Sequence, residues 1–131
     1  MKTLIVEDDF TCRLLLQEML KEYGPVHVAV NGKEALDAIR SGLDSQEPYD
    51  LVCMDIMMPE MDGQQAVSAI RSMEESRGII YTDGTKIVLA TALGDMKNVS
   101  NAYGRLCDSY LVKPIDKKAL LVELRKLKLI S

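Results

Sequence analysis

Five short aliphatic segments, each followed by a turn and then by helical periodicity, leave this chain few folds to choose from. They are Thr3 to Val6, Val26 to Val30, Leu51 to Met54, Ile87 to Ala90 and Tyr110 to Val112, all of strand length and rich in β-branched or aliphatic side chains. Leu51 to Met54 and Ile87 to Ala90 do not alternate with polar residues, the pattern of strands covered on both faces of a parallel sheet. After the first segment, Cys12, Leu15, Leu16, Met19, Leu20 and Tyr23 fall on one helical stripe. Asn31 and Glu34 have the spacing of an N-cap and its capping-box partner; Ala35, Leu36 and Ile39 continue the stripe, and Gly42 is expected to end a short second helix. Val67, Ile70 and Met73 predict a third helix, Val99, Ala102, Tyr103 and Leu106 a fourth, and Leu120, Leu121, Leu124 and Leu127 a fifth behind a cap at Asp116. The polar stretch from Glu74 to Lys86 is expected to extend the third helix before a surface loop.

Fivefold βα alternation implies an open parallel sheet with right-handed crossovers and helices on both faces, one α/β domain over residues 1–131. In such sheets ligands bind beyond the carboxyl ends of the strands, where strand order reverses. The apolar and charged fractions, 47% and 27%, argue against disorder. A net charge of −4 offers no footprint for direct nucleic-acid binding. Cys12, Cys53 and Cys107 are far apart and read as small core hydrophobes rather than zinc ligands or a redox pair. The apolar run after Lys2 breaks at Glu7, too short for a signal peptide or for membrane insertion, so a soluble, cytoplasmic protein is the expectation. His27, on the second segment, reads as structural or solvated.

The residues just past the strands carry the chemistry. Glu7, Asp8 and Asp9 follow the first, Asp55 the third, Thr91 and Ala92 the fourth, and Lys113 and Pro114 the fifth. Three carboxylates in one cleft repel and raise one another's pKa values unless a cation sits among them. A hard divalent ion such as Mg2+ suits oxygen ligands shared with a phosphoryl group. Lys113 can supply a positive charge and Thr91 a hydroxyl donor, a set suited to phosphoryl transfer. Each piece has an ordinary reading: strand-end acids cap helices, a threonine closes a turn, a lysine is solvated, and Met54, Met57, Met58 and Met61 pack. Four strand ends supplying compatible chemistry together favour a site.

The stretches LIVEDD (4–9), MDIMMPEMDG (54–63), LATA (89–92) and YLVKPI (110–115) stand in the order and spacing of the receiver domain of two-component response regulators, which the chain resembles from about Lys2 to Leu129. The resemblance implies a flavodoxin-like (βα)5 doubly wound parallel sheet of order 2-1-3-4-5. It implies that Asp55 is the phosphoacceptor for a sensor histidine kinase or phosphotransfer protein. It further implies that Glu7 and Asp8 position magnesium, with Asp55 and the backbone carbonyl of Met57 completing the protein ligands, and that Asp9 starts a helix. Thr91 corresponds to the switch hydroxyl, Lys113 to the phosphate-binding lysine and Tyr110 to the switch aromatic, with a cis peptide expected between Lys113 and Pro114. The face of the fourth helix, fifth strand and fifth helix would then control a downstream protein target, with a phosphorylation-dependent homodimer as an added outcome. A signalling domain rather than a turnover enzyme is implied, of the stand-alone, CheY-like type.

Met57 and Leu93 are apolar at positions where members of the family it resembles can carry polar residues that orient or admit the hydrolytic water, so the resemblance implies slow self-dephosphorylation. Two rivals fit less well. A Mg2+-dependent aspartyl-phosphate phosphatase or phosphotransferase of the haloacid dehalogenase type needs a second acid where Met57 stands. A flavodoxin-type flavin carrier would bring its phosphate against Glu7, Asp8 and Asp9.

Overall fold

The computed structural model of the chain describes residues 1–58, 60–80, 83–92 and 107–131. Its elements run β1 (Thr3–Val6), α1 (Phe10–Leu20), a 3-10 turn (Lys21–Tyr23), β2 (Val26–Ala29), α2 (Gly32–Asp44), β3 (Leu51–Asp55), α3 (Gly63–Ser76), β4 (Lys86–Thr91), β5 (Ser109–Val112) and α4 (Lys117–Lys126). The last helix is the one counted fifth in the sequence. The stripe of Val99, Ala102, Tyr103 and Leu106 lies outside the described residues, as does Leu93.

All strand pairs are parallel, in the order β2-β1-β3-β4-β5. Every residue of β3 is buried, and so is every residue of β4 after Lys86, as their uninterrupted apolar sequence requires. One apolar cluster lies under α2 and α3, built on Leu4, Val6, Val52, Met54, Val67, Ile70, Ile87 and Leu89. A second lies under α1 and α4, built on Ile5, Leu16, Leu20, Leu51, Cys53, Val88, Leu120 and Leu124. Alternate strand residues feed opposite clusters, so the sheet is sandwiched. Each fully buried Leu or Ile contributes about 1.5–3 kcal/mol, so both helical layers are firmly held.

Helix starts follow the sequence closely. Asp9, Asn31, Asp62 and Asp116 each accept a bond from the backbone N–H three residues on. Glu34 reaches back to the N–H of Val30 rather than of Asn31, at 3.0 Å, whereas Asp62 and Gln65 form a reciprocal capping box.

Two expectations need correction. α2 does not stop at Gly42 but runs through it to Asp44; a Cβ at Gly42 would lie 3.0 Å from the carbonyl oxygen of Glu47, whose N–H bonds back to Gly42. The glycine therefore admits the returning chain instead of ending the helix. On α1 the sheet covers only a narrow ridge: Leu16 and Leu20 are buried, while Leu15 is exposed and Tyr23 falls in the 3-10 turn. Gly24 ends that turn at φ +139°, against the backbone of Met1.

A buried ionic network at the amino ends of β4 and β5 was not anticipated from the sequence. Arg71 donates to Glu74 (2.8 Å), to the Thr85 carbonyl (2.8 Å) and to Asp108 (3.0 Å), while Glu74 and Asp108 also accept the N–H groups of Thr85 and Ile87. With nearly every oxygen employed, burying these charges is sustainable. His27 Nδ1 lies 2.6 Å from the Tyr49 hydroxyl, a structural tie as expected. Cys53 and Cys107 are buried and Cys12 is half-buried; burial pushes the Cys53 thiol up to about 12, so it stays protonated. No helix among the described residues is long and apolar enough to cross a membrane.

Candidate functional site at the carboxyl edge of the sheet

β1 and β3 are neighbours, so the residues that follow them meet. Glu7 leaves β1 with its N–H on the Ala29 carbonyl at 3.0 Å, and Asp55 ends β3 opposite Ala90 of β4. Oxygens of Glu7, Asp8 and Asp55 all lie within 4.8 Å of one another. Asp9 turns away to cap α1, its carboxyl held below the usual range by the Cys12 N–H; a separate hydrogen bond between the Cys12 thiol and the same carboxylate pushes that thiol up to about 11.

The acidic turn is pinned by Arg13, which sequence reasoning missed. Its guanidinium donates to the carbonyls of Glu7 (3.1 Å) and Asp8 (3.4 Å), turning those carbonyls toward α1. Only the i+5 and i+6 spacing on the following helix could have signalled this.

Lys113 supplies the cation. Its ammonium bonds to Glu7 Oε1 and lies 3.3 Å from Asp55 Oδ2. Burial works to lower the lysine's pKa, but the bond to Glu7 and the charges of Asp55 and Glu7 outweigh it and raise it. A cis peptide joins Lys113 to Pro114, as expected, and the Lys113 N–H bonds to the Thr91 carbonyl at 2.8 Å, tying β5's exit to β4's.

Glu7 is a strongly perturbed acid. Burial first, then a hydrogen bond shared with Asp55, push its pKa up to about 7 despite Lys113. Its second oxygen, Oε2, is buried without a hydrogen-bond partner. An orphaned carboxylate oxygen beside two further acids fits a hard divalent cation, which would satisfy the oxygen and relieve the repulsion.

The loop after Asp55 is folded tightly. Ile56 donates to the Ala90 carbonyl (3.1 Å), Gly63 donates to the Ile56 carbonyl (2.9 Å), and Ile56 and Met58 are buried. Met57 between them is exposed, against the packing role expected for it, and its N–H donates to Asp55 Oδ1 at 3.1 Å. The flanking side chains take the core positions and leave the middle one outside. Thr91 is buried, with its hydroxyl on the Ala92 carbonyl at 3.2 Å. Tyr110 is half-buried on β5, paired with Leu89 and packed against the α2–α3 cluster.

The sequence pattern of the response regulator receiver domain matches residues 3–125. The chain belongs to this family. The receiver domain is 38% identical over 122 residues to the sensor histidine kinase GacS of Pseudomonas protegens, a match covering 91% of this chain and 12% of that protein. Its fold matches the receiver domain of the Arabidopsis thaliana histidine kinase CKI1, solved in complex with Mg2+, with a TM-score of 0.75 and 29% identity over 96% of this chain and 90% of that one. It also matches the co-crystal structure of the Saccharomyces cerevisiae phosphotransfer protein Ypd1 with the receiver domain of Ssk1, with a TM-score of 0.80 and 26% identity over 97% and 88% of the two chains. The receiver domain thus spans less than half the length of the curated relatives it matches and nearly the whole of the structural ones. It is a module of two-component signalling, a system in which receiver domains pair with histidine kinases and phosphotransfer proteins.

Proposed function

We propose that this receiver domain is a phosphorylation-controlled switch in which Asp55 accepts a phosphoryl group from the phosphohistidine of a histidine kinase or phosphotransfer protein. The observation that carries the reading is the convergence of Glu7, Asp8 and Asp55 within 4.8 Å, with Lys113 beside Asp55. An Asp55 oxygen bonds to phosphorus as the phosphorus–nitrogen bond of the donor breaks, and the imidazole departs. Glu7, Asp8, Asp55 and the backbone carbonyl of Met57 would hold Mg2+, which supplies charge neutralisation for the phosphoryl oxygens.

The chain's own residues do the rest. The Met57 N–H and Lys113 orient the Asp55 carboxylate, one on each oxygen. Lys113 is positioned to follow the new negative charge and release Glu7. A phosphoryl group adds roughly −1.5 to −2 of charge and new acceptors, which draw the Thr91 hydroxyl away from the Ala92 carbonyl. Tyr110 then repacks, changing the face that β5 and α4 present to a downstream protein. A coupling of about 1–3 kcal/mol is enough for a signal. The domain works in the cytoplasm as a switch rather than a turnover enzyme, and homodimerisation through the altered face is one form the output can take.

Intact-mass measurement after exposure to acetyl phosphate and Mg2+ tests this. The native chain should gain one phosphoryl group and Asp55→Asn none. Labelling of the asparagine variant at the native rate would refute it.

A further inference from the structure

Among the described methionines, Met54 and Met58 are buried, Met1, Met19, Met61 and Met73 are half-buried, and Met57 is 67% exposed. Among the described residues, the one thioether open to solvent is thus the one two residues beyond Asp55, held there by its own N–H on Asp55 Oδ1 at 3.1 Å. Ile56 and Met58 lock the backbone on either side by burial. The Met57 side chain can therefore change its chemistry without disturbing the core.

We propose that Met57 is an oxidation site through which hydroperoxides shorten the lifetime of the phosphoryl group on Asp55. This rests on the reading of Asp55 as phosphoacceptor. The sulfur lone pair attacks one oxygen of hydrogen peroxide; the sulfur–oxygen bond forms as the oxygen–oxygen bond breaks. Sulfur is oxidised by two electrons to the sulfoxide, and the peroxide is reduced to water.

The consequence follows from polarity. A thioether is a weak acceptor and holds no water at the rim of the cleft, whereas a sulfoxide oxygen is a strong one. Placed beside the aspartyl phosphate, it fixes a water for attack on phosphorus. The water oxygen bonds to phosphorus as the bond to Asp55 breaks, the aspartate returns to a carboxylate, and phosphate leaves carrying both water protons. The other described methionines meet peroxide more slowly because the core or neighbouring side chains shield them.

The test treats the receiver domain with dilute hydrogen peroxide, maps the added oxygen by peptide mass, and then follows loss of the phosphoryl group after acetyl phosphate is removed. Met57 should oxidise first, and the lifetime should fall about fivefold, the effect of one net hydrogen bond. Met57→Leu should abolish the response to peroxide, and Met57→Gln should show the short lifetime without peroxide. Methionine sulfoxide reductase should restore the long one. Earlier oxidation at another methionine, an unchanged lifetime with Met57 fully oxidised, or a Met57→Leu chain that still responds would each overturn the proposal. Failure of the untreated chain to be phosphorylated would instead overturn the reading of Asp55, and the proposal with it, while the oxidation map stays readable.

Discussion

Lys113 Nζ stands 3.3 Å from Asp55 Oδ2 while it also holds the Glu7 carboxylate, so a single lysine neutralises acids from two different strands. In the proposed switch Lys113 is both a stand-in for a bound cation and a ligand for incoming phosphate.

Replacing that lysine separates the two roles. Lys113→Ala should slow labelling by acetyl phosphate at least about tenfold, because a charged hydrogen bond contributes roughly 1.5–3 kcal/mol. Magnesium binding should tighten, because a competing cation is gone. A variant that loses both properties, with its fold intact by circular dichroism, would show that Lys113 serves only to hold the cleft together.

The raised pKa of Glu7 sets a pH dependence. Its ordinary value is 4.5 and its folded value about 7, so between these the folded chain binds more protons than the unfolded one. The stability contributed by protonated Glu7 is then fully present below about pH 4.5 and is lost as pH rises through about 7. Binding of magnesium should have the opposite dependence, because it needs the carboxylate. Its apparent affinity should fall about tenfold per pH unit below about 7 and level off above. Titration calorimetry across this range should show the slope in the native chain and a much flatter line in Glu7→Gln; equal slopes would mean that another group titrates.

The ionic network under the sheet makes a contrasting prediction. Arg71→Met leaves Glu74 and Asp108 buried beside each other's charge and should cost about 3–5 kcal/mol in urea unfolding. Arg40→Ala, which breaks an exposed pair with Asp37 at 3.3 Å, should stay within about 0.5 kcal/mol.

Asp62 begins α3 directly after the loop that carries Met57. Asp62→Ala removes the reciprocal capping box and should cost about 1 kcal/mol. Because Gly63, the first residue of α3, also bonds to Ile56, hydrogen exchange at the Met57 amide should rise in this variant. Unchanged exchange there would mean that the loop is held from the strand side alone.

What the sequence discloses depends on distance along the chain. The caps at Asn31 and Asp116 are legible because donor and acceptor stand three residues apart. The strand ends at Asp55 and Thr91 are legible because a buried parallel strand must be apolar until it stops. Gly42 misleads because glycine serves both helix ends and close approaches, and only the fold returns Glu47 to its side. Arg71 and Asp108 are 37 positions apart, and no local pattern announces their meeting. Met57 reads as a packing residue because three methionines surround it in the same short stretch; exposure depends on which of them the folded loop turns outward.

The strand order gives the two ends of the proposed switch unequal footing. β3, which presents Asp55, lies in the centre of the sheet and is laced to β1 and β4; β5, which carries Tyr110 and leads into Lys113, forms the margin and is laced to β4 alone. Under the proposed function, chemistry is therefore mounted on the central plank of the platform and its readout on a plank with one seam. A disturbance at the centre can then shift that border while the Asp55 carboxylate keeps its aim.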